Sequence, residues 1–487
     1  MFLIKHIQQL ISPILTDLFN ECLKTGTYPD CLKIAKVIAL HKSGNKHDPN
    51  NFRPISLLPV INKIFEKLIY NRMNTFFEKH NIIKETQFGF RKGHSTDLAV
   101  SKFYEDTLLS LDNNISTCAI LLDLSKAFDS VSRDILLFKL YNYGIRGNIY
   151  ELIKSYLQER KQFIQYNDKK SKLIPTKVGV PQGSILSPLF FLTMINDLKN
   201  CSKFKVINFA DDTLLYFRYN KFENVNTVLN NELEKINKWM SQNHLKLNIS
   251  KTKFMIFAPR SKTNSPIKIT LKIGTKEIEQ VSHYKYLGLI IDDKLNWKQH
   301  ITFLATKLSR SLGMLFKIRH FIVKKTILLL IQGIFITHIR YGILCYGRAD
   351  KTILQPIEIL YNRAIRCINF YRKGNGQTTK LYYNDKLLKL NEIFELELAK
   401  FMHKYNNNSL PKSFRNYFVP ADNIHSHDTR NKKSKLFIPR ANKKLGQKSI
   451  SFLGSKCWNK IPNKIKDIKY ANTFTKQLKI HLLETYR

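Results

Sequence analysis

Two adjacent aspartates, Asp211 and Asp212, lie in the segment FKVINFADDTLLYFRY, where a hairpin tip is expected between runs of β-branched and aromatic residues. Aspartate is a poor strand former, so a pair at this place needs a reason. One reason is conformational, because aspartate favours turns. The other is chemical, because paired carboxylate oxygens are the ligands that Mg²⁺ prefers. The pair by itself leaves both interpretations open.

A third carboxylate, Asp123, ends the apolar run CAILL, which predicts a buried central strand. The turn Pro181-Gln182-Gly183 lies between this strand and the hairpin in the chain. Together these elements predict three carboxylates at one sheet edge, where they would raise one another's pKa unless a cation neutralised them. Two divalent ions at such a site would activate an attacking hydroxyl and stabilise a leaving pyrophosphate. These are the requirements of nucleotidyl transfer.

The elements that position these residues follow from hydrophobic spacing. Helices are predicted over residues 10–23, 61–77, 132–144, 187–198 and 225–240, and from 301 onward with Ile301, Leu304, Leu308, Leu312 and Leu315 on one face. Ser187 and Pro188 are expected as cap and first-turn residue. Strands are predicted at residues 36–44, 163–168, 172–180, 245–248, 252–257 and, as one strand, 283–292. Strands therefore dominate before about residue 297 and helices after it, while residues 403–450 are expected to be basic loops with little core.

The net charge indicates the class of partner. The 487 residues include 80 Lys and Arg against 37 Asp and Glu, a formal charge of +43. Such an excess favours a nucleic-acid partner, because a polyanion relieves the self-repulsion. An acidic membrane surface is the weaker explanation, since no apolar run reaches the length of a spanning helix. The most apolar stretch, residues 327–336, is short and predicts a buried helix.

The cysteines and the chain start indicate the compartment. The seven cysteines form no CxxC pair, which supports neither a zinc site nor a disulfide framework. The first residues lack the apolar core and cleavage site of a signal peptide. An intracellular protein of the nucleus or cytoplasm, not a secreted one, is expected. The basic cluster at residues 430–433 fits nuclear import or, more commonly, generic polyanion contact.

Three motifs in order resemble the palm of reverse transcriptases: DLSKAFD (123–129), GVPQGSILSP (179–188) and FADDT (209–213). More narrowly, they resemble the polymerases of non-LTR retrotransposons of the jockey/CR1 type. Supporting segments resemble the fingers, the closing palm motifs and the C-terminal region of that family: 18–30, 51–69, 87–96, 245–257, 284–297 and 451–462. The resemblance covers nearly the whole chain.

The resemblance implies an α+β right-hand polymerase with fingers, a palm containing an antiparallel sheet, and a helical thumb. The implied divisions are an N-terminal helical lead-in at 1–21, fingers and palm at 22–291, a thumb at 292–345 and a basic, mostly helical or irregular region at 346–487. Implied partners are an RNA template, a DNA primer or target, and dNTPs. The implied cofactor is a pair of Mg²⁺ ions, with Mn²⁺ as a substitute. No zinc and no membrane are expected, and the sequence indicates no oligomeric state.

Site roles carry over to matching positions. Asp123 and Asp211 are implied as principal metal ligands, Asp212 as the third acid, and the Leu124 carbonyl as a further ligand. Phe128 matches the aromatic position that excludes a ribose 2′-hydroxyl, although core packing alone would also explain it. The implied nucleotide and template contacts are Gln182, Gly183, Lys42, Arg53, Arg91 and Lys251. Lys251 would act as a general acid toward pyrophosphate, and a solvated surface lysine is the alternative.

Two features depart from the family pattern. The chain begins almost directly on the polymerase, so an upstream endonuclease is expected to be missing, and no zinc knuckle is visible. These departures leave a second hypothesis open, a catalytically silent RNA-binding remnant of a truncated element. An intron maturase shares the palm, but FADDT and the CWNKIP segment favour the retrotransposon type.

Overall fold

The computed structural model describes residues 6–220, 223–259, 269–370, 378–423 and 435–486. Its strands are β1 (Ile34–His41), β2 (Phe52–Leu57), β3 (Ser116–Leu122), β4 (Lys161–Tyr166), β5 (Lys169–Lys170), β6 (Ile174–Pro175), β7 (Lys205–Phe209), β8 (Asp212–Tyr219), β9 (Lys253–Phe257), β10 (Leu271–Ile273), β11 (Lys276–Gln280), β12 (His283–Tyr286) and β13 (Leu289–Asp292). The helices of its first part are α1 (Gln8–Thr25), α2 (Val60–Lys79), α3 (Thr96–Asp112), α4 (Arg133–Asn142), α5 (Asn148–Leu157), α6 (Ser187–Ile195) and α7 (Val225–Gln242).

Only helices and irregular segments follow β13 in the described part of the chain. They are α8 (Lys298–Ile318), α9 (Lys324–Leu330), a π-helical segment (Ile331–Ile336), α10 (Thr337–Arg340), α11 (Ile343–Tyr346), α12 (Lys351–Ile368), α13 (Thr378–Asn384), α14 (Leu390–Asn406), α15 (Ile450–Lys460), α16 (Asn463–Lys466) and α17 (Ala471–Glu484). The mixed helix and sheet content agrees with the α+β expectation. The expectation that strands dominate before residue 297 is wrong, because α1 to α7 all lie there.

The central sheet has six strands in the order β10-β11-β9-β3-β8-β7. Strand β3 lies inside it and pairs antiparallel with both β8 and β9. A second sheet joins β2, β1, β4 and β5, with β6 beside β4, and β12 and β13 form a separate hairpin. The predicted central position of the CAILL strand is therefore confirmed.

Both faces of the central sheet are covered, which explains why β3 is continuously apolar. Ala119 and Leu121 pack into one hydrophobic cluster with α3, α8 and the C-terminal helices. Cys118, Ile120 and Leu122 pack into a second cluster with α2 and α4 to α7. A strand buried on both faces needs no alternation of polar and apolar side chains.

The C-terminal region shares the first of these cores. Its contact with α3 is fixed by the fully buried Glu105, whose carboxylate accepts hydrogen bonds from the Ile450 amide at 2.6 Å and the Ser451 amide at 2.9 Å. The described part of residues 403–450 is mostly irregular, as expected. The expectation of little core there is wrong, because Phe414 and Phe418 are buried in the same cluster.

Several local predictions have clear outcomes. The five residues expected on one face of the helix from 301 are all buried on α8, which confirms that face. The single strand expected over 283–292 is wrong: Leu287 and Gly288 both have positive φ and turn the chain into the hairpin β12–β13. The strand expected at 245–248 is reduced to one bridge, Leu124 to Leu247.

The apolar stretch at 327–336 is helical with a π-helical second half, in which Ile331, Phe335 and Ile336 are buried, whereas Leu329 is 60% exposed. In the described ranges no helix is both long and apolar enough to cross a membrane. The basic cluster at 430–433 lies outside the described residues. The domain boundaries drawn from the resemblance stay predictions.

Candidate active site

Asp123 lies where the central strand β3 ends. Every residue of β3 is buried, and the chain leaves the sheet at Asp123, which is half-buried. Its amide donates to Thr252 Oγ1 at 3.3 Å, and its carbonyl accepts the Asn248 amide at 2.8 Å. Its carboxylate also accepts a hydrogen bond from the side chain of Asn248. The segment before β9 therefore fixes the position of this acid.

The other two acids belong to the hairpin between β7 and β8. Phe209 pairs with Asp212, which leaves Ala210 and Asp211 as a two-residue tip. Ala210 has a φ of 55°, the left-handed conformation that such tight hairpins require. Because Leu122 pairs with Thr213, the register carries Asp123 to the end of the sheet where Asp212 begins β8. The topology therefore places the three acids at the same end of the sheet, and their shared role as metal ligands stays a prediction.

The acids share one electrostatic environment. Burial raises the pKa of Asp123, and the charge of Asp211 raises it further, while Lys251 and Lys42 oppose the shift. Burial raises the pKa of Asp212 to about 6, with additional contributions from Asp211 and Asp123. Like charges held together disfavour ionisation, as the sequence predicts for this set.

The raised pKa of Asp212 leads to a testable expectation for metal-free protein. A carboxyl group with a raised folded-state pKa weakens the fold as pH rises from its unfolded value through about 6. Asp212→Asn should therefore stabilise metal-free protein at pH 7.5 by up to about 1 kcal/mol, a figure reduced for solvent screening. Thermal unfolding against pH checks this, and the gain should vanish near pH 4, where the wild-type carboxyl is protonated. A loss of stability at pH 7.5 would contradict it.

The donor chemistry of the site fits a hard divalent cation, because carboxylate and carbonyl oxygens are its preferred ligands. The Leu124 carbonyl takes part in no backbone hydrogen bond among the described residues, so it is free to act as a ligand. A ready-made ligand cluster is not present: the described residues contain no group of three or more Cys, His, Asp or Glu that could hold a metal. The three acids thus lie at the same end of the central sheet and influence one another's pKa, but they do not form a closed set of metal ligands.

The Pro181-Gln182-Gly183 turn is clamped to strand β2. The Gln182 carbonyl accepts the Ser56 amide at 2.7 Å, and its side-chain amide donates to both Asp129 oxygens at 3.0 and 2.9 Å. Gly183 has a φ of 130°, and a Cβ there would lie 2.4 Å from the Ser56 carbonyl oxygen. The glycine is therefore required by close backbone approach. Phe128, on the neighbouring loop, stacks on Phe191 with ring centroids 5.0 Å apart.

A buried carboxylate that the sequence analysis missed supports this turn. Glu66, on α2, is fully buried and accepts the Ile185 amide at 2.7 Å, the Tyr156 hydroxyl at 2.8 Å and the Asn62 amide group at 2.8 Å. Its only sequence signal is one acid on the apolar face of a helix.

The cap expected at Ser187 is wrong. Ser184 Oγ instead accepts the amides of Leu186 and Ser187, at 3.1 and 3.4 Å, and so caps the start of α6. The glycine-bearing turn brings Ser184 back over the helix start, which places its hydroxyl within reach of these amides.

The QFGF segment holds the hairpin tip from the other side. Gln87 Oε1 accepts the Gly89 amide at 2.8 Å and the Ala210 amide at 3.1 Å. The backbones of Phe88 and Asn208 are joined at 2.7 Å. The hairpin tip is therefore held in part by Gln87, which precedes β3 in the chain. The sequence signal for this contact is the QFGF motif (87–90), which lies in the segment 87–96 that resembles the fingers of the family.

The predicted cationic residues differ in their surroundings. Lys42 and Lys251 are exposed and close enough to lower the pKa of Asp123. Arg53 is exposed on β2, in register with Leu40. Arg91 is bound by Glu78, at 3.2 and 3.3 Å, and by the Lys84 carbonyl at 3.1 Å. The structure brings Lys42 and Lys251 to the acids. The triphosphate roles of Lys42, Arg53 and Arg91 and the general-acid role of Lys251 stay predictions.

The central sheet is antiparallel except for its β9–β11 pair, and it carries carboxylates at the end of its inner strand and on the adjacent hairpin. This is the arrangement expected of the palm of a right-hand polymerase. The family model described as "Reverse transcriptase (RNA-dependent DNA polymerase)" matches residues 41–291, more than half of the chain. The protein therefore belongs to the reverse transcriptase family, which confirms the family inferred from its motifs. Reverse transcriptases use RNA templates and generally use divalent metal ions.

Curated relatives come from mobile elements of Drosophila melanogaster. The probable RNA-directed DNA polymerase from transposon BS is 29% identical over 375 residues, covering 73% of this chain and 41% of the relative. The RNA-directed DNA polymerase from mobile element jockey is 28% identical over 405 residues, covering 80% and 43%. The chain thus spans less than half the length of these relatives. Among solved structures, apo telomerase from Candida tropicalis aligns over 83% of this chain and 71% of that chain, with 10% identity and a TM-score of 0.42.

Proposed function

We propose that this protein is an RNA-directed DNA polymerase of a non-LTR retrotransposon resembling jockey, which adds deoxynucleotides to a primer 3′-hydroxyl. The observation that carries the proposal is the placement of Asp123, Asp211 and Asp212 at one end of the central sheet, where burial and mutual charge raise the pKa of Asp123 and Asp212. Membership of the reverse transcriptase family supports it.

In this proposal Asp123 and Asp211 hold two Mg²⁺ ions, or Mn²⁺ in their place, with Asp212 as the third acid and the Leu124 carbonyl as a further ligand. The metal ions, when bound, supply activation of the hydroxyl and stabilisation of the leaving pyrophosphate. Asn248 positions Asp123 through its backbone and side chain. Lys251, exposed near Asp123, donates a proton toward the pyrophosphate.

The nucleotide lies against the clamped turn and the neighbouring basic residues. Gln182 and Gly183 present backbone to the template side, and the hydrogen bond between Ser56 and Gln182 holds the turn in place. Lys42 contacts the triphosphate as a point charge, and Arg53 and Arg91 add guanidinium donors. Arg91 reaches a triphosphate only if it gives up the Glu78 ion pair. The net charge of +43 supports RNA template and DNA primer as the polyanionic partners.

Phe128 is the proposed steric gate, and its replacement by a smaller side chain tests that role. Phe128→Val should raise incorporation of ribonucleotides relative to deoxynucleotides by about tenfold or more, because the ring no longer fills the space of a 2′-hydroxyl. The ratio of kcat/KM for matched dNTP and rNTP checks this. Phe138→Val, at a 68% exposed ring on α4, is the control and should leave the ratio unchanged. An unchanged ratio in Phe128→Val would leave Phe128 as core packing on Phe191.

Primer extension with purified protein, an RNA template, a DNA primer and Mg²⁺ tests the function itself. Extension that requires the RNA template and dNTPs is the expected result. The competing function is a silent RNA-binding remnant. It would be selected by RNA binding that weakens steeply with salt while no nucleotide is incorporated.

A further inference from the structure

A cavity of about 330 Å³ lies behind the Pro181-Gln182-Gly183 turn. Strands β1, β2, β4 and β6 contribute to its wall, together with the segment that runs from β6 to the turn. Four cationic residues line it: Arg133, Arg160, Lys161 and Lys177. A concentration of positive charge around one cavity is unfavourable unless an anion belongs there.

Arg160 is the innermost of these cations. It is 2% exposed, and its guanidinium lies over the Tyr156 ring, 4.6 Å from the centroid. Its Nη1 donates to the Tyr156 carbonyl at 3.2 Å, while its buried Nη2 has no hydrogen-bond partner among the described residues. The ring face stabilises the charge only in part. A buried guanidinium with an unused donor is costly, and an anionic acceptor would relieve that cost.

Arg133 adds charge to the cavity, but all three of its guanidinium nitrogens already donate to the wall. Its guanidinium donates to the carbonyls of Thr176 and Gly179, at 2.6 and 3.1 Å, and to Thr176 Oγ1 at 2.9 Å. Burial and the neighbouring Arg160 lower the pKa of Arg133 to about 10. Arg133 therefore holds the wall at residues 176–179 in place, and its charge repels Arg160. The cavity cation with a buried N–H group that lacks a partner among the described residues is Arg160.

The acid in the lining does not neutralise this charge. Asp129 is the acidic residue of the cavity wall, and the Gln182 side-chain amide binds both of its oxygens. Lys161 and Lys177 are exposed at the rim. The cavity thus combines a buried, under-used guanidinium with two solvent-accessible ammonium groups. This arrangement fits a phosphate group, which accepts hydrogen bonds from guanidinium and attracts ammonium as a point charge.

We propose that this cavity binds a phosphate group, with Arg160 as the inner donor and Lys161 and Lys177 at the rim, and that the phosphate belongs to the backbone of the template strand. The backbone source rests on the proposed function, because Gln182, on the cavity wall, faces the template side in that proposal. Rim lysines that both stay in solvent suit a chain passing over the cavity. A free pyrophosphate or nucleotide triphosphate has the same chemistry and is the other source.

The test is binding of a short fluorescent single-stranded RNA, measured by anisotropy over a salt series without divalent metal or nucleotide. The Lys161→Gln/Lys177→Gln double variant should bind about tenfold more weakly near 0.1 M salt, and its log–log salt slope should fall by about 1.4, for two lost phosphate contacts. Lys169→Gln/Lys170→Gln is the matched control, since these exposed lysines of β5 lie outside the cavity lining. It should lose clearly less affinity and less slope. Equal losses in both double variants would overturn the proposal.

Arg160→Gln adds a second readout. It should weaken RNA binding, and Arg146→Gln, an exposed arginine over the Tyr141 ring, should not. Pyrophosphate should raise the unfolding temperature of the wild type less than RNA does. If pyrophosphate protects the wild type and not Arg160→Gln while RNA affinity is unchanged in every variant, the phosphate comes from a free nucleotide. If neither ligand distinguishes the variants, the cavity binds no phosphate. Because these assays need no turnover, a catalytically silent protein gives the same answers.

Discussion

Asp211→Asn is expected to reduce primer extension by more than about 100-fold while leaving the fold intact. Replacing residues that only support a metal ligand costs 10–100-fold in other proteins, so loss of a ligand itself should exceed that range. The fold should not suffer, because Asp211 raises the pKa of both Asp123 and Asp212 and its neutralisation relieves repulsion. Single-turnover extension on an RNA template measures the rate of incorporation. RNA binding and thermal unfolding measure the affinity and the stability of the variant.

The matched control for this variant is Asp17→Asn, at an exposed acid on α1 away from the sheet edge. It makes the same chemical change and should leave extension unaltered. Asp123→Asn should reduce extension as Asp211→Asn does, since both acids are proposed to bind the metal ions. Wild-type extension rates in both site variants would remove the enzymatic assignment. Loss of RNA binding together with extension would show instead that the substitution acts through the fold.

Gly89→Ala is expected to cause the second largest loss of primer extension, although it adds only one methyl group and changes none of the three acids. A Cβ at this position would lie 2.4 Å from the Ala210 amide nitrogen and 3.1 Å from the Phe209 carbonyl carbon. Both are backbone atoms of the hairpin that carries Asp211, so the tip must move. A displacement near 1 Å costs about 100-fold in rate, and the overpacking costs about 1–3 kcal/mol of stability.

Extension kinetics and thermal unfolding of Gly89→Ala separate these two effects. RNA affinity should be retained, because the tip supplies carboxylates rather than cations. Gly313→Ala is the control: it lies in the middle of α8 with no atom within 4 Å of an added Cβ, and should be neutral or stabilise by up to about 1 kcal/mol. A Gly89→Ala variant with normal extension would show that the QFGF segment does not hold the tip in place.

The elements with strong periodicity could be predicted from the sequence. The CAILL run correctly predicts a central strand, since burial on both faces removes the alternation of polar and apolar residues. The two aspartates correctly predict the hairpin tip, because they interrupt a pattern that otherwise continues as strand. The single strand predicted over residues 283–292 is wrong, because the turn at Leu287 and Gly288 is so short that one glycine is its only local signal.

The supporting residues could not be predicted, because their partners are distant in the chain. Glu66 meets Ile185 across 119 residues and Tyr156 across 90. Glu105 meets Ile450 across 345. Both acids lie within helices, and nothing local distinguishes a carboxylate buried with three donors from one in solvent. Such contacts arise only when the helices pack.

The sequence by itself determined the chemistry of this protein: which carboxylates are present, that strands and a hairpin carry them, and that the surplus of positive charge suits a nucleic acid. These properties depend on residue type and short-range spacing. The tertiary structure alone decided which groups meet: the register that sets Asp123 beside Asp212, the hydrogen bond from Ser56 that clamps Gln182, and the cavity in which Arg160 Nη2 has no partner among the described residues. The physical reason is that pairing and burial are long-range, so the energy of each group depends on neighbours that the local sequence does not specify.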